Sequence, residues 1–217
     1  MKNVFNVLIF SIGSMVLFNT AAFSEPDPNR PLKVLAIGDS ITSSNRYLGR
    51  VQEGSQYSAW TRRNGRKWVI ANRGVPGQGS GEIAERFERE LDTFAPDVVV
   101  LMAGVNDLYS GSALEPIQAN LQKMYNIAEK RRLKLVTCSV LPYDTAGPPV
   151  QARLTRLNQW IRSYSRKKDF IFCDTFAVLN DPQNPFHLLY TLDGLHPAIP
   201  GYRLLDDAIR TSLETAF

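Results

Sequence analysis

Short apolar runs alternate with longer amphipathic segments along most of this chain, and that alternation limits the folds it can adopt. In the amphipathic segments, apolar residues recur three or four positions apart, as on one face of a helix. The runs predict strands at residues 34–37, 68–71, 98–102, 135–140 and 170–173, and the segments predict helices at 81–94, 113–132, 150–168 and 201–217. Continuous apolar strands that alternate with helices imply an α/β fold with a parallel sheet covered on both faces.

The N-terminal segment has the pattern of a secretory signal peptide. Lys2 precedes an apolar stretch of 15 residues, and small residues stand at Ala22 and Ser24, where a signal peptidase would cut. An uncleaved membrane anchor is the alternative, but polar residues interrupt the stretch and a span needs about 20 mostly apolar residues. The sequence therefore predicts a signal peptide at residues 1–24, one domain at residues 25–217, and an exported protein, periplasmic or secreted.

The composition disfavours disorder and a nucleic-acid partner. The chain has 217 residues, of which 44% are hydrophobic and 21% charged, enough for one well-buried domain. Its formal charge of +4 is modest. The basic clusters stand where helices are expected to end, and cations are favourable there; they are residues 62–63, 130–132 and 166–168.

The two cysteines, Cys138 and Cys173, both lie inside apolar runs that are expected to be strands. An oxidising compartment would permit a disulfide. Two buried thiols on separate strands are the favoured interpretation, because neighbouring strands seldom hold cysteines in bridging geometry. Neither cysteine has a basic neighbour in sequence that would activate it as a nucleophile.

Polar or glycine-bearing residues follow three of the predicted strands. The first strand ends in Gly38-Asp39-Ser40, the second runs into Gly74, and the third into Asn106 and Asp107. In open parallel sheets, ligands bind beyond the carboxyl ends of the strands. Each residue alone has a plain explanation as a turn or a helix cap. Their joint placement indicates a site.

Serine is a poor nucleophile at neutral pH and needs an adjacent base, a task that suits histidine. The chain has two histidines. His196 has Asp193 three residues before it in a glycine-containing turn, where the carboxylate can fix the imidazole tautomer. His187 has aromatic and aliphatic neighbours and is interpreted as a packed or surface histidine. We therefore expect His196 to be the base for Ser40.

Acyl transfer also needs donors for the oxyanion that forms on the attacked carbonyl. Removal of one such donor typically costs about 2.7–4 kcal/mol of transition-state stabilisation. Three candidates lie at neighbouring strand ends: the backbone N–H of Ser40, the backbone N–H of Gly74 and the side-chain amide of Asn106. Glycine suits the second position because a side chain there would crowd a substrate.

These residues occur in four blocks, IGDSIT, NRGVPGQG, AGVNDL and DGLHP, which resemble in sequence and order the blocks of the SGNH hydrolases, also called the GDSL family of esterases and lipases. The resemblance extends from about residue 32 to the C-terminus. It implies a flavodoxin-like three-layer α/β/α sandwich with a five-stranded parallel sheet and activity on acyl esters. It also implies that Ser40 is the nucleophile, His196 the base and Asp193 its orienter, with Gly74 and Asn106 in the oxyanion hole and no cofactor.

Other enzyme classes fit the sequence less well. An ordinary α/β-hydrolase would carry a G-x-S-x-G pentapeptide, which is absent. A metal hydrolase would need at least three ligands, and the two histidines have no paired spacing. The glycine-rich stretch 74–82 lacks the Gly-Lys-Ser/Thr ending of a phosphate-binding loop. An acyltransferase that uses the same residues stays open, whereas a non-catalytic carbohydrate-binding module would be expected to lack one of them.

The substrate is expected to be a small-molecule, lipid or carbohydrate ester. Short-chain acyl esters, acetylated sugars and lysophospholipids suit a short chain whose acyl pocket is built from loops. Pocket-lining positions are expected at Tyr143, Pro148, Pro149 and residues 186–190, and residues 46–56 are expected to form a substrate-facing loop. Ordinary loop packing is the alternative for these positions. The family often has glycine soon after the Ser-Ile-Thr run, where this chain has Ser43, Ser44 and Asn45. This difference concerns the shape of the loop and not the chemistry.

Overall fold

The structure is a computed structural model that describes residues 30–43 and 68–215. Three sequence predictions lie outside the described residues: the signal peptide at residues 1–24, the substrate-facing loop at residues 46–56 and the helix end at residues 62–63. Among the described residues, no helix combines the length and the apolar character that a membrane crossing requires.

The centre of the fold is a five-stranded sheet in which every neighbouring pair of strands is parallel. The strands are β1 (Leu32–Gly38), β2 (Trp68–Gly74), β3 (Val98–Met102), β4 (Lys134–Cys138) and β5 (Ile171–Cys173), in the order β2-β1-β3-β4-β5. Gly38 at the end of β1 pairs with Gly74 of β2 on one side and with Met102 of β3 on the other. The polar residues that follow these three strands therefore meet at one edge of the sheet.

Helices cover both faces, which confirms the predicted three-layer α/β/α architecture. One layer holds α2 (Ser80–Phe94), α4 (Leu114–Lys130) and α5 (Pro148–Lys167). The other holds α6 (Thr175–Leu179) and α7 (Ile199–Glu214), which pack on each other, and α7 also packs on β4 and β5. The four predicted helices are confirmed, with ends shifted by at most three residues. Pro200 lies in the first turn of α7, where a missing N–H leaves no hydrogen bond unmade.

Three short helices do not follow from the apolar pattern, because four or five residues are too few to show a helical period. They are α1 (Ser40–Ser43), α3 (Val105–Tyr109) and α6. All three begin one to three residues after a strand of the sheet. Two of them, α1 and α3, carry the candidate site residues Ser40 and Asn106.

The core lies between the sheet and the α2–α4–α5 layer and between the sheet and α7. Every residue of β3 is buried, and the largest fully buried side chains include Phe87 of α2 and Tyr125 of α4. Burial of one such side chain stabilises the fold by about 1.5–3 kcal/mol. Tyr125 also stacks on Trp160 of α5, with ring centroids 6.1 Å apart. The sheet is therefore a rigid support for whatever its edge carries.

Cys138 and Cys173 are free and buried, as the sequence predicts. They nevertheless lie on neighbouring strands, β4 and β5, and pair in register. The hydrogen bond with Cys173 and burial both raise the pKa of the Cys138 thiol. A thiol in that protonated state is a poor nucleophile.

Candidate active site

The Ser40 turn, residues 38–43, consists of the last residue of β1, Asp39 and the short helix α1. The Asp39 carboxylate accepts the Ile41 N–H at 2.9 Å, and the Asp39 carbonyl accepts the Ser43 N–H at 2.9 Å. A Cβ on Gly38 would lie 2.1 Å from Oγ1 of Thr42 and 2.4 Å from the carbonyl oxygen of Met102. Only glycine therefore allows the chain to turn this tightly and present Ser40 as the first residue of a helix.

The structure brings Ser40, His196 and Asp193 together. Oγ of Ser40 lies 2.9 Å from Nε2 of His196, and Nδ1 of His196 lies 2.7 Å from Oδ2 of Asp193. These are hydrogen-bonding distances at both ends of the imidazole ring. A proton can pass from the hydroxyl to the ring while the carboxylate holds the other nitrogen.

Burial around the three side chains is uneven. Ser40 is 4% exposed and His196 is 7% exposed, whereas 48% of the Asp193 side chain is exposed. The partial burial of Asp193 raises the pKa of its carboxyl. Hydrogen bonds from the His196 N–H, the His196 ring and the Leu195 N–H outweigh that effect and hold the pKa below its usual value. Asp193 is therefore ionised at neutral pH and can stabilise a protonated imidazole.

The segment that carries the histidine, residues 190–198, is called here the His loop. It has no strand of its own and is held by an isolated antiparallel bridge between Thr191 and Pro197. Oγ1 of Thr191 accepts the Gly194 N–H at 2.6 Å and lies 3.2 Å from the carbonyl oxygen of His196. Oδ1 of Asp193 accepts the His196 N–H at 2.8 Å. Side-chain hydrogen bonds thus shape the loop around the imidazole.

Asn106 lies in α3, directly after β3. Its Nδ2 donates one hydrogen to the carbonyl oxygen of Gln78 at 2.9 Å. An amide nitrogen carries two hydrogens, so one remains for another acceptor. Residues 75–79, called here the 75–79 loop, thereby orient the Asn106 amide at the edge of the sheet that carries Ser40.

Gly74 and Gly77 differ in what their N–H groups contact. The Gly74 N–H donates to Oδ1 of Asn72 at 2.9 Å, so the role predicted for Gly74 as an oxyanion donor requires that bond to break. A Cβ on Gly74 would lie 2.1 Å from the backbone nitrogen of Ser43, so close packing against α1 explains this glycine. The Gly77 N–H has no acceptor among the described residues, and Gly77 adopts a φ of 83°.

A positive φ favours glycine, and Gly77 stands in the same glycine-rich stretch as Gly74. The sequence pattern does not distinguish the two, since both are glycines after the second strand. The side chain of Asn72, which accepts the Gly74 N–H, also donates to the Thr42 carbonyl at 2.9 Å. Asn72 thus ties the end of β2 to α1 and occupies the Gly74 N–H.

Asp39 is the most deeply buried carboxyl group beside the site. Its side chain is fully buried, and Oδ2 has no hydrogen-bond partner among the described residues. Burial raises the pKa of Asp39 to about 7, and the nearby Asp107 carboxylate acts in the same direction. Asp107 itself accepts both the backbone N–H and the hydroxyl of Ser80, at 2.8 Å each.

The second histidine and the predicted pocket-lining residues differ in how far they are exposed. His187 is partly exposed and faces a carboxylate from a different loop, with Nδ1 3.6 Å from Oδ1 of Asp144. Tyr143 is buried and packs on Tyr109 of α3, with ring centroids 5.7 Å apart. Pro148 and Pro149 are exposed at the start of α5.

Within residues 30–43 and 68–215, no three His, Cys, Asp or Glu side chains group as metal ligands.

The sequence of residues 36–204 matches the model of the GDSL-like Lipase/Acylhydrolase family. The chain belongs to this family. The match spans Ser40, Asn106, Asp193 and His196, and it confirms the family resemblance of the four sequence blocks. Solved structures of GDSL-like proteins have the same fold as this chain. A GDSL-like lipase from Bacteroides thetaiotaomicron aligns with a TM-score of 0.70 at 24% identity, over 85% of this chain and 89% of that one.

Three relatives show how far sequence similarity extends. An arylesterase from Vibrio mimicus is 24% identical over 177 residues, 76% of this chain and 80% of its own length. An acetylxylan esterase from Geobacillus stearothermophilus is 20% identical over 150 residues, 63% of this chain and 68% of its own. An N-acylneuraminate cytidylyltransferase from Streptococcus agalactiae is 30% identical over 95 residues, 43% of this chain, and the match spans only 22% of that protein.

Proposed function

We propose that this protein hydrolyses carboxylic acyl esters with Ser40 as nucleophile, His196 as general base and Asp193 as the residue that orients the imidazole. The observation that carries the proposal is the continuous chain of contacts from Oγ of Ser40 through both ring nitrogens of His196 to Oδ2 of Asp193. Membership of the GDSL-like Lipase/Acylhydrolase family supports the same chemistry.

The reaction runs in two stages. In the first, Nε2 of His196 takes the hydroxyl proton as Oγ of Ser40 attacks the acyl carbonyl, and the protonated ring then gives that proton to the leaving alcohol. The product of this stage is an acyl ester on Ser40. In the second stage, His196 takes a proton from water, the hydroxide equivalent attacks the acyl-enzyme, and the carboxylic acid leaves while Ser40 recovers its proton.

Three groups support the tetrahedral oxyanion in this proposal. Ser40 is the first residue of α1, where a helix leaves its N–H groups without intrahelical acceptors. The second hydrogen on Nδ2 of Asn106 is available. The third donor is the Gly77 N–H, which has no acceptor among the described residues, whereas Gly74 would first have to release Asn72.

The surface around the site favours an ester with an apolar part. Large apolar side chains that are exposed lie on segments that carry the site, namely Val75, Tyr109, Tyr190, Leu192 and Ile199. The arylesterase and the acetylxylan esterase relatives act, by name, on aryl and acetyl esters. We therefore propose short-chain acyl esters, aryl or sugar-linked, as the substrate class, with lysophospholipids as a further candidate.

Export is part of the proposal, with cleavage near Ser24. The basic start, apolar stretch and small residues of the first 24 positions support it. Mass spectrometry of the protein recovered from periplasm and medium tests it: a mature N-terminus near residue 25 is expected. Full-length protein retained in the membrane fraction would contradict cleavage.

The proposed activity is tested with p-nitrophenyl esters of increasing acyl length on the purified protein, with and without a sugar acceptor. We expect acetate and butyrate esters to be hydrolysed fastest, and Ser40→Ala to abolish hydrolysis. Acyl groups recovered mainly on the sugar would favour the acyltransferase that the sequence also allows. Hydrolysis at the wild-type rate by Ser40→Ala would contradict the proposal.

A further inference from the structure

Arg86 is a buried arginine on α2 that contacts two separate parts of the site. It is only 7% exposed. Its Nε donates to Oε1 of Gln78 at 2.8 Å, and its Nη2 donates to the carbonyl oxygen of Gly38 at 3.0 Å. One rigid guanidinium therefore joins the 75–79 loop to the end of β1.

Within the part of the chain that the structure describes, no carboxylate pairs directly with the charge of this side chain. Arg86 forms no ion pair within residues 30–43 and 68–215, and its Nη1 has no acceptor there. Burial lowers the pKa of Arg86 from its ordinary value, while the Glu90 carboxylate raises it. A guanidinium stays protonated at neutral pH, and a buried charge with an unsatisfied donor is unfavourable. An apolar side chain would fill the same space without that penalty, so the position calls for a functional reason.

The two acceptors of Arg86 are directly linked to the proposed catalytic groups. Gly38 stands two residues before Ser40, in the turn that allows no side chain at that position. The backbone of Gln78 accepts the Asn106 amide at 2.9 Å, and Gln78 follows Gly77 in the chain. The guanidinium thus connects the turn that carries Ser40 with Gln78, which follows Gly77 and accepts the Asn106 amide.

We propose that Arg86 is a positioning residue that sets the spacing between Ser40 and the oxyanion donors Gly77 and Asn106. The proposal rests on the function proposed above. Arg86 itself touches no reacting atom. Its planar fork reaches two acceptors at once, which a lysine ammonium at the same place could not do with the same fixed geometry.

The test compares Arg86→Met with Arg89→Met on the same helix. The Arg89 side chain is 71% exposed and pairs only with Glu90 among the described residues, so it controls for loss of a cation from α2. We expect Arg86→Met to lower kcat by about 10²-fold with KM within about threefold of wild type, because a misplacement near 1 Å has effects of that size. Arg89→Met should keep kcat within about twofold. Arg86→Lys should fall between Arg86→Met and wild type.

A second variant separates positioning from folding. Gln78→Ala removes one acceptor of Arg86 from a surface loop and leaves the buried guanidinium in place. We expect it to lower kcat by about tenfold with an unchanged Tm, and we expect the double variant to be no slower than Arg86→Met alone. Losses of kcat that do not add in the double variant show that the two side chains act through their contact with each other.

Each result decides for or against the proposal. Wild-type kcat in Arg86→Met would overturn it. So would a loss of kcat that matches a lower folded fraction, combined with wild-type kcat in Gln78→Ala. Ser40→Ala in the same assay tests the proposed function itself. If hydrolysis does not depend on Ser40, both the proposed function and the proposed role of Arg86 are wrong.

Discussion

The two halves of the candidate site are built in different ways. The Ser40 turn is an extension of the sheet: β1 lies between β2 and β3, and the turn allows no Cβ at Gly38. The His loop has no strand, and side-chain oxygens of Thr191 and Asp193 hold its backbone. One half is positioned by pairing with two neighbouring strands and by burial, the other by one isolated bridge and a few local hydrogen bonds.

This difference predicts how each half responds to mutation. Changes in the Ser40 turn should alter stability and activity together, because the turn is part of the hydrophobic core. Changes in the His loop should alter activity with little effect on stability, since an irregular surface segment contributes little to the global fold. The predictions below test that division, beginning with the largest effect.

Replacement of His196 should have the largest effect on activity and almost none on folding. We expect His196→Ala to lower kcat by about 10⁴- to 10⁶-fold, as loss of a triad member does in serine hydrolases. Steady-state kinetics and thermal unfolding of the same samples measure both effects. His187→Ala is the matched control and should keep wild-type kcat; equal losses in the two variants would remove the assignment of the base.

Replacement of Asp39 should change how stability depends on pH. Burial raises the pKa of Asp39 from 3.8 to about 7, so the folded state binds this proton more tightly than the unfolded state. The associated stability is complete below about pH 4 and is lost as pH rises to about 7. Relative to wild type, Asp39→Asn should therefore gain unfolding free energy over that interval, by up to roughly 4 kcal/mol.

Urea unfolding of both proteins between pH 4 and pH 8 measures this difference. The amide cannot titrate, so any constant penalty for the Asn side chain shifts all points equally. A difference in unfolding free energy that stays constant from pH 4 to pH 8 would show that Asp39 is ionised throughout.

Replacement of Gly38 tests the claim that the Ser40 turn belongs to the core. Its added methyl would collide with Thr42 and the Met102 carbonyl, and overpacking of that kind destabilises by about 1–3 kcal/mol. We expect Gly38→Ala to lower both the unfolding free energy and kcat. Gly147→Ala, whose added methyl meets no atom of the described residues within 4 Å, should keep wild-type kcat and change the unfolding free energy by less than about 0.5 kcal/mol. Wild-type stability in Gly38→Ala would mean that the turn relaxes independently of the sheet.

The smallest expected effect concerns Thr191 of the His loop. Thr191→Val removes the oxygen that accepts the Gly194 N–H and approaches the His196 carbonyl. A hydrogen bond of this kind contributes about 1 kcal/mol, so we expect kcat to fall about fivefold and the unfolding free energy to fall by no more than about 1 kcal/mol. Thr155→Val on the exposed face of α5 is the control. A larger loss of stability than of activity would contradict the division between the two halves.

For the Ser40 turn, the sequence predicted both the residues and their place at the edge of the sheet. For the His loop, it predicted the residues but not their contacts. Apolar runs identify strands, and strand ends identify Ser40 and Asn106, because parallel strands share one edge. The sequence predicted that His196 lies near Ser40 because few other side chains could serve as its base. The distances that join His196 to Ser40 and Asp193 come only from the structure.

Other features could not be predicted because they depend on tertiary contacts. The occupied N–H of Gly74 follows from the side-chain direction of Asn72, and the burial of Arg86 follows from how α2 packs on β1. A helical pattern with charged residues does not tell which cation points inward. The register of Cys138 with Cys173 likewise requires the strand order.

The central claim is that Ser40 attacks an acyl carbonyl, and covalent labelling tests it most directly. The purified protein would be treated with a p-nitrophenyl phosphonate ester, and the adduct located by intact mass and peptide mapping. We predict one adduct, on the peptide that contains Ser40, which is absent in Ser40→Ala and forms far more slowly in His196→Ala. Ser40 is only 4% exposed, so the same experiment measures whether a reagent reaches its hydroxyl. No adduct, or an adduct on another residue, would contradict the account.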